Sequence, residues 1–212
     1  MFLPPYFGGD ETMSTNRGSA SAFDRGAVTT IHQGDCLVSG DNELIFSTIL
    51  GSCVSACVRD VEAKVGGMNH FLLAEPSGNS KDRYGASARY GAFAMEQLIN
   101  KVLTKGSGRK ANLEIKVFGG GLINSALTDV GAKNIEFVHD FLSVEGYSLA
   151  GEDVGGTFAR RVMFKPHSGK AFVKRLDSAA ASTVAKEELS LVVRRASPIP
   201  VARAPEPDIE LF

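Results

Sequence analysis

Two β-rich runs, Val54–Val58 and Val65–Leu73, stand on either side of the short connection Asp60-Val61-Glu62-Ala63-Lys64. Runs of this length and composition, so closely joined, read as an antiparallel hairpin. A hairpin of this kind needs further strands and a covering layer to be stable, and this limits what the rest of the chain can build. Further short β-rich pieces precede it at Ala27–His32, Cys36–Val38 and Glu43–Ser47. A helical stretch follows at about 86–103, where Met95, Leu98, Ile99 and Val102 fall on one face. Asn112–Phe118 is the next strand, leading into Gly119-Gly120-Gly121, and a second helix is expected over Ala132–Val144 with Ile135, Val138, Phe141 and Leu142 turned inward. Strands near Tyr147–Leu149, Arg160–Lys165 and Ala171–Arg175 complete the pattern, the last two joined at the turn signal Pro166-His167-Ser168-Gly169. The fold class expected is α+β: a single-domain α/β sandwich of mostly antiparallel strands with two long helices.

The ends are different in kind. Residues 1–25 are rich in Gly, Ser, Pro and Asn without apolar periodicity and are expected to be a disordered extension, with Met13 an alternative start of translation. The folded unit is expected over 26–176. Residues 177–212 pass from an Ala/Ser/Thr run through a short amphipathic piece into a Pro-spaced segment, and are expected to be a flexible tail.

A formal net charge of -1 gives no basis for binding nucleic acid or an anionic membrane. No run approaches the roughly 20 apolar residues of a membrane helix, and Pro4, Pro5, Gly8 and Gly9 interrupt any leader-like segment. A soluble cytoplasmic protein is expected. Three cysteines, Cys36, Cys53 and Cys57, are an odd number and suggest reduced thiols rather than a disulfide framework. Neither their spacing nor that of His32, His70, His139 and His167 suits a metal, so no metal and no cofactor are expected.

Cys53 follows Gly51-Ser52 at the mouth of an apolar run. Glycine allows a sharp reversal there, and the backbone amides of Ser52 and Cys53 are candidates to hold an oxyanion. With the hairpin turn centred between Val61 and Glu62, Cys53 lies directly across from His70. Opposed residues share a face with Cβ atoms roughly 4.5–5.5 Å apart, close enough for an imidazole to take a thiol proton. A one-residue slip would put the two on opposite faces. Cys57, about 13 Å along a strand from Cys53, is too far for a disulfide and is read as structural, with Cys53 the exposed thiol. A third group should orient the imidazole; Ser47 and Thr48 are the candidates, with Asn69 and Glu75 as competitors. His32, His139 and His167 are read as structural or surface residues.

These residues resemble the CheD family of chemoreceptor glutamine deamidases. The resemblance is carried by Leu50-Gly51-Ser52-Cys53-Val54 and Gly66-Gly67-Met68-Asn69-His70-Phe71-Leu72-Leu73. It continues, in order, through Arg83-Tyr84-Gly85, Lys116-Val117-Phe118-Gly119-Gly120-Gly121, Val130-Gly131-Ala132-Lys133-Asn134 and Glu152-Asp153-Val154-Gly155-Gly156 with Arg160-Arg161. It implies hydrolysis of selected glutamine side-chain amides on methyl-accepting chemotaxis receptors. It also implies a Cys53 nucleophile, a His70 base and a hydroxyl at Ser47, with Thr48 as the alternative. An open, shallow site reading a receptor helix is expected, with Gly119, Gly120 and Gly121 forming part of its surface. The resemblance further implies a CheC-type phosphatase as a partner, so a binding adaptor is the rival to an enzyme, as is a cysteine deamidase acting on some other protein.

Overall fold

The computed structural model describes residues 27–73, 85–123, 129–177, 182–184 and 186. Glu75, Arg83, Tyr84, the expected N-terminal extension and most of the expected tail lie outside the described residues. Within that tail, residues 182–184 and 186 are helical and Val184 is buried.

The strands are β1 (Val28–Thr30), β2 (Cys36–Ser39), β3 (Ile45–Leu50), β4 (Val54–Asp60), β5 (Val65–Asn69), β6 (Leu113–Gly119), β7 (Leu149–Val154), β8 (Arg160–Phe164) and β9 (Ala171–Arg175). The long helices are α1 (Ala86–Lys105) and α2 (Val130–Val144). One sheet has the order β1-β3-β8-β9 and the other β2-β5-β4-β6-β7. Among the described strands only the β1–β3 and β6–β7 pairs are parallel, as expected of a mostly antiparallel α+β sandwich. Strand β7 begins at Leu149, so the run expected at Tyr147–Leu149 leads into a strand rather than being one.

Alternation along the strands divides the apolar residues into two cores. Phe46, Leu50, Cys53, Cys57, Met68, Leu72, Val162 and Phe164 fill the space between the sheets. Val54, Ala56, Val58, Phe71, Ile115 and Val117 face the other way, against Met95, Leu98, Ile99 and Val102 of α1 and Val138 and Leu142 of α2. The α1 face is the one its periodicity predicts. In α2 the fully buried stripe runs through Asn134, Val138 and Leu142, with Ile135 and Phe141 only partly covered. Between the sheets a fully buried Arg160 reaches from β8 to the Asp153 carboxylate and to the carbonyls of Asp153 and Gly155 beyond β7.

The hairpin forms between β4 and β5, but its turn is centred one residue later than expected. Cys57 pairs with Met68, Val58 with Gly67 and Asp60 with Val65, and an isolated bridge joins Val54 to Phe71. The Asp60 carboxylate sets this register: Oδ1 accepts the backbone N–H groups of Glu62 and Ala63 at 3.1 and 2.9 Å. Lys64 closes the turn at φ 55°.

Candidate active site

The register correction moves the expected partner of Cys53 by two residues. Continued past the Val54–Phe71 bridge, the ladder sets Cys53 opposite Leu72, and Ser55 opposite His70. A displacement of two preserves the face, because side chains alternate with period two. Cys53 and His70 are therefore diagonal neighbours on the sheet face that looks into the space between the sheets.

From across that space comes the hydroxyl of Thr48, on β3. Its Oγ1 lies 2.9 Å from His70 Nδ1 and 2.7 Å from the carbonyl oxygen of Ile31. A hydroxyl has one proton, and the Ile31 carbonyl can only accept it. Thr48 therefore receives its other bond from Nδ1–H of His70. In the neutral ring this leaves Nε2 as the basic nitrogen, the tautomer a general base needs. The expected third residue, Ser47, is corrected: adjacent strand residues point to opposite faces, so a Thr48 turned toward His70 turns the Ser47 side chain away. Asn69 is engaged elsewhere, accepting the Ala56 N–H at 2.8 Å and donating to the Ala94 carbonyl at 3.0 Å.

Three successive carbonyls of the Gly51–Cys53 turn are each taken by a donor from the β6–α2 region. Gly121 N–H donates to Gly51 at 2.6 Å, Asn134 Nδ2 to Ser52 at 2.8 Å and Gly120 N–H to Cys53 at 2.7 Å. The Gly119–Gly121 loop is thus a buried brace behind Cys53. This corrects its expected role as substrate surface. Its glycines are there for close approach: a Cβ on Gly119, at φ +111°, would lie 2.1 Å from the Cys53 oxygen. The site is also enclosed rather than open, with Cys53 1% and His70 7% exposed, so Cys53 is not the exposed thiol expected.

All three cysteines are free thiols. Burial pushes the Cys57 thiol far above its ordinary pKa, only partly offset by Lys116 and a hydrogen bond from Ser55, so it stays protonated at neutral pH. Cys36 is raised as well, again by burial, against the pull of Lys101. His139 is exposed and 2.7 Å from Glu152, and Nδ1 of His167 lies 3.0 Å from the Gly40 carbonyl, both away from the Thr48–His70 bond. Sequence reasoning gave Asn134 no part; the signal was present as a polar residue within the i, i+4, i+8 stripe of α2.

A thiol and an imidazole on one sheet face, with a hydroxyl holding the imidazole in the tautomer that leaves Nε2 basic, are the groups that thiol-based hydrolysis requires. A CheD family profile, described as CheD chemotactic sensory transduction, matches residues 72–175. The chain is 45% identical over 162 residues to a probable chemoreceptor glutamine deamidase CheD of Hahella chejuensis, covering 76% of each. It is also 45% identical over 197 residues to the protein of that name from Caulobacter sp., covering 92% of this chain and 99% of the relative. A third such relative, from Ruegeria sp., is 48% identical over 152 residues, covering 72% and 79%. The chain belongs to the CheD family. The profile match begins after Cys53 and His70, so the parts assigned to those residues rest on geometry and on the resemblance. A solved Bacillus licheniformis hypothetical protein, YfiH, overlaps at a TM-score of 0.36 with 11% identity, covering 62% of this chain and 59% of that one, too little to argue from.

Proposed function

We propose that this chain hydrolyses glutamine side-chain amides on chemoreceptors to glutamate and ammonia, with Cys53 as nucleophile and His70 as general base. The observation that carries the proposal is the Thr48–His70 bond, whose direction leaves Nε2 basic on the face shared with Cys53. The names of its relatives supply the substrate class.

His70 Nε2 takes the Cys53 proton, and the thiolate sulfur adds to the glutamine Cδ. The carbonyl oxygen becomes an oxyanion facing the amides of Ser52 and Cys53. When the adduct collapses, the C–N bond breaks and the imidazolium protonates departing ammonia, leaving a thioester. Water, giving its proton to His70, adds to the thioester; the C–S bond breaks, and glutamate leaves with the thiol restored. Thr48 supplies orientation without a full charge, which suits slow regulatory turnover. An enclosed thiol favours a group on a thin stem, such as a glutamine side chain, whose entry requires the covering atoms to move aside.

The three free thiols suit a reducing cytoplasm. Among the described residues no helix is long and apolar enough to cross a membrane. On family resemblance, a CheC-type phosphatase is a second partner, which co-purification would test. The central experiment is mass spectrometry of purified receptor cytoplasmic fragments incubated with wild type, Cys53→Ala and His70→Ala. Conversion of specific glutamines to glutamate by wild type alone is the expected result. Equal conversion by either variant would remove the proposed site.

A further inference from the structure

We infer that Asn134 is a positioning residue of the reaction, holding the peptide bond that carries the Cys53 amide toward the developing oxyanion. The inference rests on the deamidase mechanism above and adds to it a residue from α2.

Asn134 is fully buried and makes two bonds of opposite sense. Nδ2 donates to the Ser52 carbonyl at 2.8 Å, and Oδ1 accepts the Leu73 N–H at 2.9 Å. A carbonyl can only accept and an amide N–H can only donate, so the orientation of the carboxamide is forced by its partners. Of residues this size, only one with a donor and an acceptor side by side can make both bonds.

The two partners are informative. Leu73 lies three residues past His70, and Ser52 immediately precedes Cys53, so one side chain ties the segment bearing the base to the turn bearing the nucleophile. The Ser52 carbonyl and the Cys53 N–H also belong to the same planar trans peptide and point in opposite directions. Fixing one fixes the other. With the Ser52 oxygen drawn toward α2, the Cys53 N–H is held facing away from α2. The flanking carbonyls of Gly51 and Cys53 accept the backbone N–H groups of Gly121 and Gly120, whereas the Ser52 carbonyl accepts from the Asn134 side chain.

The seat of Asn134 is itself constrained. A Cβ on Gly131 would lie 2.6 Å from the Gly120 oxygen, so the first turn of α2 rests directly on the loop that braces Cys53. Asn134 follows Gly131 by three residues, on the same side of the helix. Glycine at 131 and asparagine at 134 therefore work together: one lets the helix approach, the other spans the gap left.

A comparison within one protein tests this without needing the receptor. Acylation of Cys53 by p-nitrophenyl acetate forms the S–C bond through an oxyanion and expels p-nitrophenolate, whereas alkylation by iodoacetamide displaces iodide with no oxyanion. Asn134→Asp keeps the acceptor for Leu73 and removes the donor for Ser52; Asn134→Ala serves if that variant does not fold, and Cys53→Ala gives the background from other thiols. The expected result is acylation slowed about 10- to 100-fold, less than the loss on deleting an oxyanion donor outright, with alkylation unchanged. Receptor deamidation should fall in parallel in kcat, with KM retained. Acylation and alkylation falling together would make Asn134 an ordinary structural residue, and an unchanged acylation rate would overturn the inference just as fully. If Asn134→Asp slows acylation alone but the wild type leaves receptors untouched, the substrate assignment falls while the role of Asn134 stands.

Discussion

The oxygen of Thr48 lies 2.9 Å from Nδ1 of His70, and because the Thr48 proton goes to the Ile31 carbonyl, the imidazole must be the donor in that bond. The contact crosses from one sheet to the other, since Thr48 sits on β3 and His70 follows β5. The sandwich thus fixes the tautomer of His70, so the closeness of the sheets sets a protonation state as well as the packing.

Replacing Thr48 by valine keeps the shape and removes both bonds. Losing one oriented hydrogen bond worth about 1 kcal/mol should lower kcat about fivefold. The Ile31 carbonyl, left buried without its partner, should cost about 1–3 kcal/mol of stability. Ser47→Ala should leave kcat near wild type. Steady-state deamidation of a receptor fragment by the two variants checks this; a larger loss in Ser47→Ala would return the third place to Ser47.

Thiol labelling should separate the cysteines. Cys53 and Cys57 are equally buried, so the neighbouring imidazole should decide the order: in native protein at neutral pH, iodoacetamide should modify Cys53, whose proton His70 can take, before Cys57, which stays protonated. Cys57 should react only once the chain is unfolded in denaturant. Peptide mapping by mass after timed quenching gives the order, and early modification of Cys57 would contradict the burial seen between the sheets.

The fold was legible because periodicity survives small errors of boundary. The faces of α1 and most strands follow from residue type alone. The Cys53–His70 relationship survived an error for a more particular reason: the turn is displaced by one position, which moves the partner by two, and parity is kept. Nothing in the hydrophobic pattern announces that Asp60 will capture the N–H groups of Glu62 and Ala63 and so set that register. The choice between Ser47 and Thr48 was hidden for a related reason. Both carry hydroxyls, and only the pairing of β3 with β8 decides which one looks inward. Asn134 and the bracing role of Gly119–Gly121 depend on contacts between segments about 70–80 residues apart in the chain, which local sequence does not encode.

Two glycines of like backbone conformation should respond differently to alanine. Gly120 and Gly146 both have φ of +65°. A Cβ on Gly120 would lie 2.4 Å from Ile135 Cγ1, whereas on Gly146 it would meet nothing within 4 Å. Gly146→Ala should cost about 1–2 kcal/mol, the left-handed penalty alone. Gly120→Ala should add about 1–3 kcal/mol of overpacking and should also slow deamidation, because its N–H holds the Cys53 carbonyl. Denaturant melts of both variants with activity assays check the contrast.

Asp60 should make stability depend on acid. Burial pulls its pKa upward, but hydrogen bonds from Ala63, Ser107 and Glu62 outweigh that and hold the carboxyl below its ordinary value. Its side chain also accepts the Ser107 N–H at 2.7 Å, so one carboxylate fastens both the β4–β5 turn and the end of α1. A depressed folded-state pKa means the unfolded chain takes up its proton first as pH falls. The stabilisation is therefore complete above the unfolded value of about 3.9 and is lost as pH drops through the folded value. Asp60→Asn retains an acceptor but no charge, and should destabilise the protein by about 2–4 kcal/mol at neutral pH, given the worth of charge-assisted hydrogen bonds. Below the folded pKa, where wild type has also lost the charge, the difference should shrink. Urea melts of both proteins from neutral pH to about pH 3 give the two curves, and a gap that stays constant across that range would show that the charge on Asp60 is not what holds the turn.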